Sequence, residues 1–328
     1  MAQKALVSYL YTYLKGVAMG AADVVPGVSG GTIAFITGIY EELVSTIHNL
    51  DFGVFKFWKQ NGFKAMWKHY NLNFLAVLLI GIATSVLSLA AIIENLLKNQ
   101  PIMVWSFFFG LIVASIIYVG RQIEKWNITA ILAIVIGTVV SYLITIVEPV
   151  AAQDSLWFLF FAGFIAIIAM ILPGLSGAFI LVLLGAYEAV LGTLTGLKDG
   201  LFGDSDLMWD SALKMIVLVL GAIAGIKAFS GVLNWMFKNY KSTTLAVLTG
   251  LMIGALNKIW PWKEVLTTRI NSKGETVPLL EKSISPANYE GDPELTMAIV
   301  LAVAGCLLIL GFEWLAKRKS NSADGGPA

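Results

Sequence analysis

The chain has 328 residues, of which 58% are hydrophobic and 13% charged, against about 25% charged in a soluble domain. This composition excludes an ordinary soluble domain and points to a protein that lives in a bilayer. The net charge of +1 gives no electrostatic case for a nucleic-acid partner, the single cysteine (Cys306) leaves no disulfide framework or thiolate metal site, and having only two histidines, His48 and His69, argues against a histidine-ligated metal.

Lys4 followed by an apolar run gives the N-terminus some likeness to a secretory leader. Lys15 interrupts that run, and the segment after it recurs in the second half of the chain. A removable leader is not duplicated internally, so the segment reads as mature protein. Ten apolar segments run in chain order, at about 6–22, 30–47, 74–97, 102–120 and 128–147, then at about 156–171, 177–195, 212–237, 243–257 and 296–316. Their lengths cluster around the roughly 18–20 residues that span hydrocarbon. The pattern predicts an all-α, polytopic membrane protein of two five-helix units, 1–150 and 151–319, with a polar, glycine-rich tail at 320–328 expected to be disordered.

The division into two units rests on an internal repeat. Residues 26–41 read Pro-Gly-Val-Ser-Gly-Gly-Thr-Ile-Ala-Phe-Ile-Thr-Gly-Ile-Tyr-Glu, and residues 173–188 read Pro-Gly-Leu-Ser-Gly-Ala-Phe-Ile-Leu-Val-Leu-Leu-Gly-Ala-Tyr-Glu. Eight of the sixteen positions are identical, including Pro26/Pro173, Gly27/Gly174, Ser29/Ser176, Gly30/Gly177, Gly38/Gly185 and Glu41/Glu188. The register continues with Gly81/Gly221 and Gly110/Gly250. In each unit the first two segments are joined by a tight Pro-Gly-x-Ser-Gly link. Each pair is expected to form a re-entrant helical hairpin with its tip inside the membrane, the rival being a single span broken at the link.

Charge placement separates these alternatives. A hairpin plus three spans is odd and inverts the second unit, whereas a broken helix plus three spans is even and does not. The loop at 49–73 holds Lys56, Lys59, Lys64 and Lys68 against Asp51, a net of +3; its counterpart at 196–211 holds Lys198 against Asp199, Asp204, Asp206 and Asp210, a net of −3. Equivalent loops of opposite charge belong on opposite sides, which favours an inverted repeat with both termini cytoplasmic. Residues 148–155, with Glu148 and Asp154, and the loop 258–295 then fall outside.

Inverted repeats with interrupted helices are a common build of secondary transporters. Pro26 and Pro173 lack an N–H and suit a helix break, with Gly27 and Gly174 permitting the turn. Ser29 and Ser176 are natural N-caps. The N–H groups and hydroxyls of Ser29, Gly30, Gly31, Thr32, Ser176 and Gly177 are therefore candidate donors to an anion at a helix N-terminus, although small residues also serve close helix packing. Gly27-Val28-Ser29-Gly30-Gly31 fits the G-x-S-x-G of serine hydrolases, but neither histidine lies in an apolar segment to act as base. Asp23 and Lys227 are ionisable groups within apolar sequence and break the repeat, their counterparts being Met170 and Leu87. Lys227 is a candidate headgroup ligand and Asp23 a candidate proton carrier, or the two form a buried ion pair. Lys15 and Glu94 are expected to snorkel, and Glu41 and Glu188 serve gating or helix-end solvation. Most tryptophans, Trp58, Trp67, Trp126, Trp260 and Trp314 among them, flank segments and read as an interfacial belt.

The run Gly20-Ala21-Ala22-Asp23-Val24-Val25-Pro26-Gly27-Val28-Ser29-Gly30-Gly31-Thr32, with the second motif Leu172-Pro173-Gly174-Leu175-Ser176-Gly177, closely resembles the bacterial polyprenyl-phosphate transporter family. The resemblance covers nearly the whole chain apart from its tail. It implies a non-enzymatic flippase of the bacterial cytoplasmic membrane that moves undecaprenyl phosphate from the outer to the inner leaflet, recycling the carrier lipid for peptidoglycan and other envelope polymers. Its partners would be that lipid and the bilayer; no cofactor is implied, and proton or sodium coupling stays open. From the residues alone, a transporter of a small soluble anion and an intramembrane serine hydrolase remain alternatives.

Overall fold

The computed structural model describes residues 2–25, 27–51, 53–150, 153, 155–200, 205–270 and 276–324; Pro26, Asp154 and Asp204, which entered the sequence reading, lie outside them. The first half runs α1 (Ala2–Val24), α2 (Gly30–Ile36), α3 (Tyr40–Asn49), α4 (Gly53–Asn61), α5 (Phe63–His69), α6 (Leu72–Asn99), α7 (Pro101–Gly120) and α8 (Ile128–Ile146). The second runs α9 (Leu156–Ile171), α10 (Gly177–Leu183), α11 (Tyr187–Gly200), α12 (Ser205–Asn239) and α13 (Lys241–Ala255). An antiparallel ribbon of β1 (Lys263–Ile270) and β2 (Thr276–Ser283) follows, then α14 (Leu295–Asp324). Among the described residues α6, α7, α8 and α12 are long and apolar enough to cross a membrane. Residues 320–324, expected to be disordered, continue α14, because nothing in Ser320–Asp324 breaks a helix already under way; residues 325–328 lie outside the described set.

The second apolar segment of each half, expected as one helix, is two. α2 ends at Gly38 (φ 72°) and α10 at Gly185 (φ 67°), in the left-handed region that glycine enters without strain. In α2 the Gly38 N–H donates to Phe35 O at 3.0 Å and Ile39 N–H to Ala34 O at 2.9 Å; in α10 the Gly185 N–H donates to Val182 O at 3.0 Å and Ala186 N–H to Leu181 O at 2.9 Å. Both ends are Schellman caps. α11 leaves α10 at 107°. Seven residues of helix span only about 10 Å, about a third of the hydrocarbon core. Each short helix also folds back on the one before it: Gly30 N–H donates to the Asp23 carboxylate at 2.7 Å, and a methyl group at Gly177 would lie 2.7 Å from Ala166 O. The chain therefore reverses at both Pro-Gly-x-Ser-Gly links.

Residues 49–73, read from sequence as a basic loop, contain α4 and α5. These short helices expose Phe55, Trp58 and Phe63 beside Lys56, Lys59 and Lys64. Aromatic side chains interleaved with lysines on short helices suit the plane of a membrane interface.

The packing follows the duplication. α1 lies along α6 as α9 lies along α12, and the halves exchange partners, α8 against α13 and α7 against α14. Glycines set these contacts. A methyl group at Gly81 would fall on the Tyr13 carbonyl, and one at its counterpart Gly221 on the Phe160 carbonyl. Gly110 meets Ala302, and its counterpart Gly250 meets Ile134. Water is not expelled between lipid-facing helices as in a soluble core, so close backbone approach supplies the association. Overpacking typically costs about 1–3 kcal/mol. Gly110→Val should accordingly lower the thermal unfolding midpoint of the purified protein in detergent, while Gly192→Ala, where an added methyl group meets nothing within 4 Å, should leave it unchanged or slightly raised.

Candidate functional site

At the first reversal α1 ends at Val24, Gly27 turns the chain (φ 85°), and Ser29 sits in extended geometry as the N-cap of α2. Asp23 accepts the Gly30 N–H at 2.7 Å, and Ser29 Oγ accepts the Gly31 N–H at 3.1 Å. The Thr32 N–H goes to Ser29 O at 2.9 Å. The donors that sequence offered to an external anion are thus taken within the tip, with the Asp23 carboxylate in the anion's place at the positive end of α2.

The two tips are bonded to each other. The Ser29 hydroxyl lies 3.2 Å from both Met170 O and Leu172 O, and Thr32 Oγ1 accepts the Gly174 N–H at 2.9 Å. Ser29 and Thr32 are fully buried. At the second tip Gly174 (φ 88°) makes the same turn as Gly27, and Ser176 Oγ caps α10 through the Phe179 N–H at 3.4 Å. Met170 stands where Asp23 stands in the first half, so no carboxylate covers the start of α10. The Ser29 hydroxyl is engaged in capping and in tip-to-tip contact, with neither histidine bonded to it, and is not placed as a nucleophile.

Lys227 is not brought to the tips, and it does not pair with Asp23. Its ammonium donates to His48 O and to Leu50 O (3.0 Å), clamping α12 to the C-terminal end of α3. Such carbonyls are without helical partners and carry the negative end of the dipole, so they accept a cation well. Lys15, expected to snorkel, donates to Thr37 O at 2.7 Å at the end of α2. Glu41 pairs with Lys241 at 3.0 Å and Glu188 with Arg269, each glutamate lying in the first turn of its helix. Trp260, read as part of an interfacial belt, donates its indole N–H to Ile284 O at 2.8 Å and packs on Trp262, tying down the ribbon.

Beside the second tip lies a cavity of about 960 Å³ between α6, α7, α10–α11 and the ribbon. Ala178, Phe179 and Val182 of α10 form one wall and Ala90 and Leu97 of α6 another. Lys98, Lys258, Lys263 and Arg269 line it, with Glu94 and Glu281. Glu281 Oε2 lies 3.1 Å from Lys258 Nζ and 3.6 Å from Lys263 Nζ. Lys258 stands 4.8 Å over the Phe179 ring and Lys263 3.8 Å over Trp105. Burial pushes the Lys263 ammonium down to about 8, with Lys258 adding to the fall and Glu281 opposing it. Burial alone would raise the Glu281 carboxyl, but Lys263 and Lys258 outweigh it and hold the group below its ordinary range. Sequence reading placed Lys258, Lys263, Arg269 and Glu281 in the outside loop 258–295 and gave them no role. The signal was present: Lys263–Ile270 and Thr276–Ser283 are rich in Val, Leu and Thr and are separated by the sequence Asn-Ser-Lys-Gly-Glu, a hairpin pattern.

The fold and site define an α-helical, polytopic membrane protein with paired helix reversals beside a cationic cavity, a build suited to moving an anionic solute. The chain belongs to the undecaprenyl phosphate translocase-like family, whose model matches residues 19–277. It is 44% identical over 316 residues to a polyprenyl-phosphate transporter of Vibrio cholerae, covering 95% of this chain and 98% of the relative. It is 28% identical over 260 residues to a polyprenyl-phosphate transporter of Staphylococcus aureus, covering 76% and 85%. No solved structure matches the chain.

The tip contacts can be tested directly. A methyl group at Gly31 would lie 2.5 Å from the Ile171 carbonyl, a backbone atom, whereas one at Gly30 meets only the movable Asp23 carboxylate. Gly31→Val should therefore abolish transport in protein that still inserts, and Gly30→Ala should be milder. Ser29→Ala removes a cap worth about 0.5–2 kcal/mol together with the bond across the tips, and Ser176→Ala removes the cap alone. Thermal unfolding in detergent should place Ser29→Ala below Ser176→Ala.

Proposed function

We infer that the chain transports polyprenyl phosphate, the lipid named in both relatives, and that it carries undecaprenyl phosphate from the outer to the inner leaflet of the bacterial cytoplasmic membrane. The observation that supports this reading most is the cavity, which pairs buried cations with apolar walls. A phosphate headgroup needs the cations, and an isoprenoid tail needs a route that stays in hydrocarbon. The apolar side chains that α6, α10 and α11 contribute to the cavity walls offer a tail such a route. A small soluble anion has no use for those apolar walls. The two halves are inverted relative to each other, the hairpins are re-entrant, and both termini are cytoplasmic; the opposite charges of loops 49–73 and 196–211 support that topology.

In this mechanism the bonded tips form the barrier between the leaflets. Ser176 and Gly177 present the second tip to the cavity, Pro173 and Gly174 turn it, and Ser29 to Thr32 hold the first tip against it. Asp23 exchanges a proton as its hold on the Gly30 N–H is made and released. Glu41 and Glu188 latch the ends of α3 and α11, and Lys227 keeps α3 docked while the tips move. An exposed pair such as Glu41–Lys241 contributes at most about 1 kcal/mol, which suits a latch that must open.

In reconstituted vesicles that report the inward movement of undecaprenyl phosphate, the wild-type chain should accelerate translocation, and Asp23→Asn should remove its dependence on pH. An unchanged pH profile in that variant would make Asp23 a structural cap only. For topology, in a Cys306→Ala background, Lys59→Cys and Lys241→Cys should react with an impermeant maleimide only from the cytoplasmic side and Asp199→Cys only from outside. Labelling of positions 59 and 199 from one side would end the inverted arrangement.

A further inference from the structure

The ribbon cavity holds more cationic donors than its own carboxylates use. Lys263 is buried, its side chain only 7% exposed, yet its ammonium has no hydrogen-bond partner; its closest carboxylate oxygen is the one on Glu281 at 3.6 Å, which Lys258 already occupies at 3.1 Å. The Arg269 guanidinium gives one edge to Glu188 and lies against the Tyr187 ring, while its Nε–H is buried and unbonded. A buried ammonium has three donors to satisfy and a guanidinium five, and leaving such groups unmade is costly. These unspent donors line one cavity beside the Phe179 and Trp105 rings.

We propose that this cavity is a binding site for a phosphate monoester, held by Lys258 and Lys263, with the Glu281 carboxylate as the internal anion that the phosphate displaces or shares; Arg269, six residues further along β1, adds positive charge at the far end of the same cavity. A monoester phosphate carries close to two negative charges at neutral pH and three strong acceptor oxygens, which matches the two ammonium groups of Lys258 and Lys263. The carboxylates that line the cavity, Glu281 and Glu94, leave the Lys263 ammonium without a hydrogen bond. The ligand enters with its ester oxygen toward the apolar walls of α6 and α10, so the group it carries lies along Leu97 and Val182. This rests on the transport reading above when the ester is a polyprenyl chain: the ribbon cavity is then where the headgroup is captured before the tips part. Free inorganic phosphate has the same headgroup chemistry without the tail.

The test is equilibrium binding to the full chain in nanodiscs, using undecaprenyl phosphate, the corresponding polyprenyl alcohol and inorganic phosphate as separate probes. The wild type should bind the lipid phosphate and not the alcohol. Lys263→Met should weaken binding by about 10- to 100-fold, the range for losing one hydrogen bond to a charged group, and Lys263→Arg should recover part of it. Glu281→Gln should tighten binding, because it removes the competing anion; a purely structural ion cluster would not give that gain. If Lys263→Met does not fold, Lys258→Met carries the same expectation. Undiminished binding in folded Lys263→Met or Lys258→Met, with wild-type binding intact, overturns the cavity assignment while leaving the transport reading standing. Binding of inorganic phosphate that is sensitive to Lys263→Met, with no binding of the lipid, keeps the phosphate site and overturns the lipid substrate. No binding of any probe by the wild type overturns both.

Discussion

Two chain reversals inside an apolar helical bundle leave backbone groups without the water that would otherwise bond them, and an unsatisfied group in hydrocarbon costs several kcal/mol. The molecule meets this constraint by bonding one reversal to the other. The Ser29 hydroxyl reaches the carbonyls of Met170 and Leu172, Thr32 accepts the Gly174 N–H, and Asp23 takes the Gly30 N–H that begins α2. Because each tip completes the other, neither half of the chain is a finished unit. The exchange of partners between α7, α8, α13 and α14 extends the same dependence through the bundle.

On a duplicated scaffold the charges at the tips and in the cavity are single-copy, although the Glu41/Glu188 pair is repeated. The helix breaks, Schellman caps and glycine contacts occur twice, but Asp23 faces Met170 in the repeat, and Lys258, Lys263, Arg269 and Glu281 belong only to the second half. The cavity accordingly sits beside one tip, on the side where α10 begins without a carboxylate over it. The first tip carries its own anion in Asp23, so the two helix starts differ in charge although their backbones follow the same path.

Much of the architecture was legible in one dimension. Apolar length and the repeated Pro-Gly-x-Ser-Gly located the helices and both reversals, and the Gly81/Gly221 and Gly110/Gly250 pairs marked the close helix contacts. The Gly38/Gly185 identity also held the information that α2 and α10 stop after two turns, but a run of apolar residues reads the same whether a helix continues through it or bends. The amphipathic helices α4 and α5 were hidden by the net charge of their loop. Lys227 and Lys15 were visible as costly cations, yet their carbonyl partners were not, since any helix end is an available acceptor and only packing selects one.

The sequence by itself determined that the chain is a membrane protein, that it is duplicated, where it reverses, and which polar residues stand in apolar surroundings. These are properties of neighbouring residues, set by hydropathy, glycine's access to positive φ, and the caps that Ser29 and Ser176 supply locally. Only the tertiary structure decided which polar groups meet. Ser29 and Leu172 are 143 residues apart, and Glu281 meets Lys258 and Lys263 because a ribbon folds back over the end of α13. Contacts at such separations depend on how whole helices pack, and the strength of a charge pair depends on the burial that packing creates, which no local reading of residues contains.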